Sequence, residues 1–146
     1  MSLIQVSKGS DGFAAFEAAL SLADLPATDL DADQARYFAL EHRDGDPLAF
    51  VGLISFGREG LLRSLVVPKS LRNHGYARQA IHELAQLARA TGMLRLWILT
   101  MDAEGYFVRQ GFRFARREEA PTVIANCRQF STTCPDTAVL MCLNLV

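Results

Sequence analysis

The sequence lacks the features of several large protein classes. Its 146 residues carry a formal net charge of −1. The chain therefore lacks the overall basic excess that would indicate nucleic-acid binding, and any anion site must be local. Purely apolar runs are short, as in Leu65-Val66-Val67, and predict no membrane span. Residues 1–8 lack the basic start and long apolar stretch of a signal peptide, so we expect a cytoplasmic location. A chain of this length is expected to form a single domain over residues 1–146.

The sequence also has few cysteines and lacks the known phosphate-loop motifs. The three cysteines are Cys127, Cys134 and Cys142, and an odd number without a Cys-x-x-Cys pair favours neither a disulfide framework nor structural zinc. We therefore expect no metal. The Gly-x-Gly-x-x-Gly spacing of a dinucleotide site is missing, and no Gly-Lys-Ser/Thr follows a loop, which excludes a P-loop.

Hydrophobic periodicity predicts a mixed α/β fold. Helices are expected at 10–23, at 75–91 and from 100 or 102 to 110, with a loop or short second helix near the acidic stretch 29–33. Strands are expected at 3–6, 35–42, 48–56, 61–67, 94–99, 112–115 and 138–145. The order is β-α-(α)-β-β-β-α-β-α-β-β, which gives a central mixed, mostly antiparallel sheet flanked by helices. Strands 61–67 and 94–99 should be parallel, because a helix connects them.

The turn from strand 61–67 into helix 75–91 has the composition of an anion site. The first-turn amides of a helix lack backbone partners, and with the helix dipole they attract anions. Gly75 lets a ligand approach the backbone closely, and Arg72 and Arg78 add positive charge with good phosphate geometry. Glu83 is the only acidic residue from 69 to 95, against five basic residues. The loop therefore suits a diphosphate.

Arg72-x-x-Gly75-x-Ala77 after a hydrophobic strand resembles the signature of the GNAT superfamily of N-acetyltransferases, Arg/Gln-x-x-Gly-x-Gly/Ala. Gly111-Phe112 and the element order also match, so the resemblance covers nearly the whole chain. It implies an acyltransferase that moves an acetyl group from acetyl-CoA directly to the amine of a small molecule. It also implies that the backbone of Leu65, Val66 and Val67 binds the pantetheine arm. The pyrophosphate would then be held by Arg72, Asn73, His74, Gly75, Tyr76, Ala77 and Arg78.

The sequence departs from the family pattern at the usual proton donor. Many GNAT enzymes carry Asn-x-x-Ala-x-x-x-Tyr-x-x-x-Gly-Phe, and the tyrosine protonates the leaving thiolate. The corresponding positions here hold Thr100, Ala103 and Phe107. Phe107 takes the cofactor-side position of the tyrosine but has no proton to donate, and Tyr106 is about 100° around the helix, so we expect it to face elsewhere. The leaving thiolate would then take its proton from water, from another group or from the incoming amine.

Other catalytic candidates follow from topology. Glu41 on the second strand and Glu59 at the next turn are the nearest carboxylates to accept an amine proton through water, although carboxylates at such positions are more often solvated surface acids. Arg63 and the adjoining Ser64 lie mid-strand, where a buried arginine is costly unless paired. Arg63 either pairs with Glu41 or Glu59, lies on an exposed face, or binds an anionic group of the acceptor.

A closer resemblance is to small N-acetyltransferases of bacterial arsenic-resistance operons. The segments that carry it are 61–67, Leu99-Thr100, Tyr106-Phe107, Glu119-Ala120-Pro121, and 130–135 with Ala138. This subgroup also tends to lack the tyrosine, and the resemblance implies an amino-acid-like or toxin-like acceptor.

Several alternatives stay open. They are a non-catalytic acyl-CoA-binding sensor, a protein or peptide N-acetyltransferase, and direct binding of trivalent arsenic by the three cysteines. The last strand, 138–145, is apolar and is expected at the sheet edge, where it would pair across a homodimer. Neither a nucleic-acid nor a membrane partner is expected.

Overall fold

The computed structural model describes residues 1–7, 9–23, 35–125 and 138–146. The strands are β1 (Ser2–Val6), β2 (Ala35–Glu41), β3 (Pro47–Phe56), β4 (Glu59–Val66), β5 (Arg95–Thr100), β6 (Arg113–Phe114) and β7 (Val139–Asn144). The helices are α1 (Asp11–Leu22), α2 (Tyr76–Ala90), α3 (Glu104–Arg109) and α4 (Thr122–Ala125), with 3-10 turns at Lys69–Leu71 and Arg117–Glu119. The predicted mixed α/β fold is confirmed, while the short helix considered near 29–33 lies outside the described residues. Every helix within these ranges is too short or too polar to span a lipid bilayer.

The strands form one seven-stranded sheet in the order β1-β2-β3-β4-β5-β7-β6. The pair β4–β5 is parallel, as predicted for a helical crossover, and the other neighbouring strands are antiparallel. The expected edge position of the last strand is wrong, because β7 lies between β5 and β6. Gly111, at φ 98°, turns the chain after α3 so that Arg113 and Phe114 pair with the outer side of β7. The argument for dimer pairing through β7 therefore fails.

The helices cover both faces of the sheet. Strand side chains alternate between the faces, so each strand supplies residues to both layers. α2 and α3 pack on one face through Ile81, Leu84 and Phe107 against side chains such as Leu62 and Leu96. α1 packs on the opposite face through Phe13, Phe16 and Leu20 against Tyr37, Phe50 and Val66. On that second face, Ile124 of α4 packs with Ile54, Leu61, Trp97 and Leu99.

Strands β4 and β5 pair only at their first residues. Their register runs from Glu59↔Arg95 to Leu61↔Trp97, although β4 continues to Val66 and β5 to Thr100. Opposite β3, strand β4 contains one extra residue between Arg63 and Val66, with Ser64 at φ 58°. A β-bulge of this kind bends its strand and increases its twist. The two strands consequently diverge beyond Leu61 and Trp97, and a gap opens between their C-terminal halves.

Candidate functional site

The N-terminus of α2 presents free amides to open space. Gly75 is its cap residue at φ 80°, and the first helical hydrogen bond runs from Gln79 N to Gly75 O at 3.1 Å. The amides of residues 76–78 therefore have no acceptor within the helix, and no side chain of the described chain caps them. A Cβ built on Gly75 would meet no atom within 4 Å. This open, dipole-facing space is chemically suited to an anion such as a diphosphate.

The loop before α2 is held by its own side chains. Asn73 and Gly75 both adopt left-handed backbone conformations, at φ 67° and 80°. Arg72 Nε donates to Val67 O at 3.0 Å, which ties the loop to the end of β4. His74 Nδ1 lies 2.8 Å from Arg72 O, and its ring stacks on Tyr76 with 5.6 Å between centroids. These contacts shape the loop itself, a role that the sequence pattern did not indicate.

The segment predicted to bind the pantetheine arm begins just after the bulge. Leu65 and Val67 pack towards the α2 face, whereas Val66 is buried on the α1 face. Because β5 has already diverged from β4 at this point, the backbone edge of 65–67 borders the gap. Backbone groups there are placed to bond an extended ligand lying along β4.

Helix α3 begins directly after β5, on the same face as α2. Thr100 is buried, and its Oγ1 accepts a hydrogen bond from Ala103 N at 3.1 Å, which fixes the turn into α3. Phe107 is buried and packs edge-on against Phe112 at 5.4 Å. Phe107 therefore belongs to the apolar core, at the position that holds a tyrosine in the family pattern given above.

Tyr106 lies at the margin of the apolar cluster that α2 and α3 share. It is half-buried, contacts Phe107 edge-on at 5.5 Å and lies under the Arg109 guanidinium, 5.8 Å from the ring centroid. Burial raises the pKa of the Tyr106 phenol, while the positive charges of Arg78 and Arg109 lower it to a smaller degree. Tyr106 packs against the apolar cluster to which α2 contributes Ile81 and Leu84. The phenol therefore stays protonated at neutral pH and can donate a hydrogen bond there.

Glu59 has a structural role that the sequence did not indicate. Its carboxylate accepts bonds from Arg95 at 2.6 Å and from Trp97 Nε1 at 3.1 Å, and Arg95 also lies over the Trp97 ring at 5.2 Å. The Glu59 side chain is only 12% exposed, so the alternative that Glu59 is a solvated surface acid is wrong. This cluster lies where β4 and β5 still pair, at the closed end of the gap.

Glu41 lies at the end of β2, opposite Ser2 of β1 and Pro47 of β3. Arg63 is in the row of Tyr37, four residues earlier on β2, which corresponds to about 13 Å along the strand. A direct pair between Glu41 and Arg63 is therefore not formed. Glu41 as a base stays a prediction.

Arg63 is buried on the α1 face beside the gap. Its residue is 4% exposed, which excludes the reading of an exposed arginine. Arg63 follows Tyr37 and Gly52 in one row across β2, β3 and β4, and its Nε donates to Ser64 Oγ at 2.9 Å. The structure thus brings Arg63 and Ser64 together at the bulge, on the side of the sheet opposite α2.

The described cysteine is a core residue. Cys142 is buried on β7 opposite Trp97, and burial raises the pKa of its thiol. A buried, protonated thiol does not suit soft-metal binding, which needs the thiolate. Cys127 and Cys134 lie outside the described residues, within which no group of three or more His, Cys, Asp or Glu side chains could hold a metal ion.

The raised pKa of Cys142 predicts a loss of stability at alkaline pH. Above the ordinary thiol pKa of about 8.5, the unfolded chain binds fewer protons than the folded chain. The contribution of this group is then complete below about pH 8 and is lost as the pH rises through the folded-state pKa. Urea unfolding of the wild type and Cys142→Ala at about pH 7 and about pH 10 measures the effect. The wild type should lose more stability between the two pH values, and equal losses would contradict the assignment.

Comparison with known proteins connects this geometry with a family. The model of the acetyltransferase (GNAT) family matches residues 10–112, which include α1, the gap between β4 and β5, and the α2 loop. The chain belongs to the acetyltransferase (GNAT) family. The family match ends at Phe112, the last residue of the Gly111-Phe112 pair that follows α3.

Relatives of known activity are longer than this chain. An amino-acid acetyltransferase of Ralstonia nicotianae is 29% identical over 94 residues, which are 63% of this chain and 21% of that protein. N-acetylglutamate synthase from Neisseria gonorrhoeae, complexed with coenzyme A and N-acetyl-glutamate, is 21% identical with a TM-score of 0.78; the match covers 99% of this chain and 35% of that one. Rv2747 from Mycobacterium tuberculosis, in complex with CoA, is 19% identical with a TM-score of 0.75 and full coverage of both chains. At these identities the two structures show a common fold.

Proposed function

We propose that the protein transfers an acetyl group from acetyl-CoA directly to the amine of a small, amino-acid-like acceptor. The observation that carries this proposal is the gap between β4 and β5, which opens beside the uncapped, basic N-terminus of α2. A cofactor held at that terminus would reach into the gap along β4. The similarity to an amino-acid acetyltransferase supports the choice of acceptor.

The donor side has groups for each part of the cofactor. The amides of 76–78 and the exposed Arg72 and Arg78 would bind the diphosphate, and Gly75 leaves the space for it. The backbone of 65–67 would bond the pantetheine arm where β5 no longer pairs with β4. We infer that acetyl-CoA is the donor and that it approaches from the α2 face.

The reaction needs little further chemistry from the chain. The amine nitrogen forms a C–N bond with the thioester carbonyl and gives a proton to water, the C–S bond breaks, and the leaving thiolate takes up a proton from water. The CoA thiolate is a fair leaving group, so Phe107 in place of a proton donor slows this reaction without preventing it. Positioning the two substrates in the gap makes the reaction effectively unimolecular, which lowers its entropic barrier.

Turnover with a panel of amines tests the proposal. Acetyl-CoA would be incubated with the protein and with amino acids, the amino-acid-like toxin phosphinothricin, simple amines and peptides, while free thiol and acetylated product are measured. We expect product from amino-acid-like acceptors. Faster acetylation of peptide N-termini would support a peptide acetyltransferase instead.

A sensor is the second candidate, because Thr100 and Phe107 replace two polar residues of the family pattern and both are buried. This candidate predicts stabilisation of the fold by acetyl-CoA together with no turnover by any amine. The first panel member that yields product above the no-enzyme rate eliminates it.

A further inference from the structure

We propose that Arg63 binds the acid group of the acceptor, a carboxylate or a phosphinate, and so selects amino acids over simple amines. The inference rests on the proposed acetyl transfer and identifies which side of the molecule receives the acceptor. It assigns Arg63 a role in acceptor specificity and leaves binding of the donor to the α2 loop.

The position of Arg63 separates it from the donor site. α2 packs on one face of the sheet, whereas Arg63 shares the opposite face with Tyr37, which contacts Phe13 and Phe16 of α1. A donor that approaches from α2 leaves the α1 face of the gap for the second substrate. Arg63 lies two residues beyond Leu61, where pairing with β5 ends, and therefore borders the gap on that face.

The burial of the charged Arg63 side chain calls for an explanation in terms of its binding partners. A guanidinium in an apolar layer is costly unless it is bonded to polar groups, and replacement by an apolar residue of similar volume is often neutral or stabilising. Nε is bonded to Ser64 Oγ, which fixes the plane of the guanidinium, and the side chain has further contacts within the chain. The planar fork matches the two oxygens of an acid group. The acid group of the acceptor would join or displace those further contacts.

The absence of a side chain at Gly52 leaves room for the Arg63 side chain. A Cβ on Gly52 would lie 2.7 Å from Tyr37 Cε1 and 3.1 Å from Arg63 Cγ, so both side chains cross directly over the glycine. The phenol ring thus lies beside the Arg63 stem over Gly52, and the bond from Nε to Ser64 Oγ holds the guanidinium at the bulge. A confined arginine loses little entropy on binding and distinguishes acids by geometry.

The test compares an acidic acceptor with its uncharged partner. The ratio of kcat/KM for an amino acid to that of its amide would be measured for the wild type, Arg63→Lys and Arg63→Gln, with Arg58→Gln as an exposed arginine control. A hydrogen bond to a charged group contributes about 1.5–3 kcal/mol, so the wild-type ratio should be about 10–150. Arg63→Gln should bring the ratio close to one, Arg63→Lys should give an intermediate ratio, and Arg58→Gln should keep the wild-type ratio.

Each outcome decides a separate point. Equal loss with acid and amide in Arg63→Gln shows a structural role and overturns the proposal. If both Arg63 variants fail to fold, as judged by their melting curves, the wild-type ratio alone decides, and a ratio near one overturns it. If Arg63→Gln keeps the wild-type ratio of kcat/KM for the acid to that for the amide, the proposal is also overturned. Absence of turnover by the wild type with any amine contradicts the proposed function itself, and this inference with it.

Discussion

Gly75→Glu should abolish the stabilisation that acetyl-CoA gives to the protein. The new carboxylate would project into the empty space before α2 and place negative charge against the amides of 76–78. For the wild type, acetyl-CoA at about 100 times its dissociation constant should add about 2.7 kcal/mol to the free energy of unfolding. The variant should show almost none of this gain. Melting curves with and without acetyl-CoA measure both.

The matched control for this variant is Gly57→Glu. Gly57 also has a left-handed backbone, at φ 65°, and a Cβ there would meet no atom within 4 Å. It lies in the turn before β4, at the opposite end of that strand from the α2 loop. Gly57→Glu should therefore show similar backbone strain and a full response to acetyl-CoA. A full response from Gly75→Glu as well would mean that the anion does not bind at α2.

Trp97→Ala should lower the free energy of unfolding by about 4 kcal/mol, because a fully buried indole leaves a large cavity. Trp97 is also opposite Leu61 in the last paired position of β4 and β5. Its loss removes the packing that holds the closed end of the gap. We therefore expect the surviving folded protein to bind acetyl-CoA more weakly as well. Urea unfolding and acetyl-CoA titration provide the two measurements.

Trp97→Phe separates packing from hydrogen bonding at this position. Phenylalanine retains most of the apolar contact and loses only the bond from Nε1 to Glu59. The expected loss is about 1–3 kcal/mol, the cost of leaving a buried carboxylate oxygen with one partner fewer. If Trp97→Ala costs no more than Trp97→Phe, the indole does not support the closed end of the gap.

Much of the fold follows from local pattern. The limits of α2 were predictable because Gly75 and Gly92 flank an amphipathic run, and both adopt left-handed conformations at φ 80° and 94°. The parallel pairing of β4 and β5 was predictable because a helical crossover joins them. The anion-binding character of the α2 loop was visible in its basic composition and its glycine.

Other features depend on contacts that no local pattern encodes. The inner position of β7 is set by β6, which has only two residues and therefore too little sequence to indicate a partner. Glu59 bonds Arg95 and Trp97 across 36 and 38 residues of chain, so its structural role was hidden. The left-handed Ser64 has no sequence signal, because such a conformation in a serine is stabilised by its surroundings.

The side of α3 that Tyr106 occupies illustrates the limit of helical geometry. The 100° step per residue fixes the angle between Tyr106 and Phe107 but not which of them faces the rest of the protein. That choice depends on α3 sharing a face with α2, so that Phe107 enters the core and Tyr106 packs at the margin of the same cluster. Assignment of the proton donor from motif alignment alone is therefore unsafe in this chain.

The most direct test of the central claim is a titration of the ¹⁵N-labelled protein with CoA, followed through its backbone amide resonances. Binding at the uncapped helix end and along the free edge of β4 predicts that the largest shifts belong to Tyr76, Ala77 and Arg78, with smaller shifts at 65–67. The amides around Glu59 and Arg95, at the closed end of the gap, should move little. Shifts confined to other parts of the chain, or none at millimolar CoA, would contradict the claim that this loop holds the cofactor.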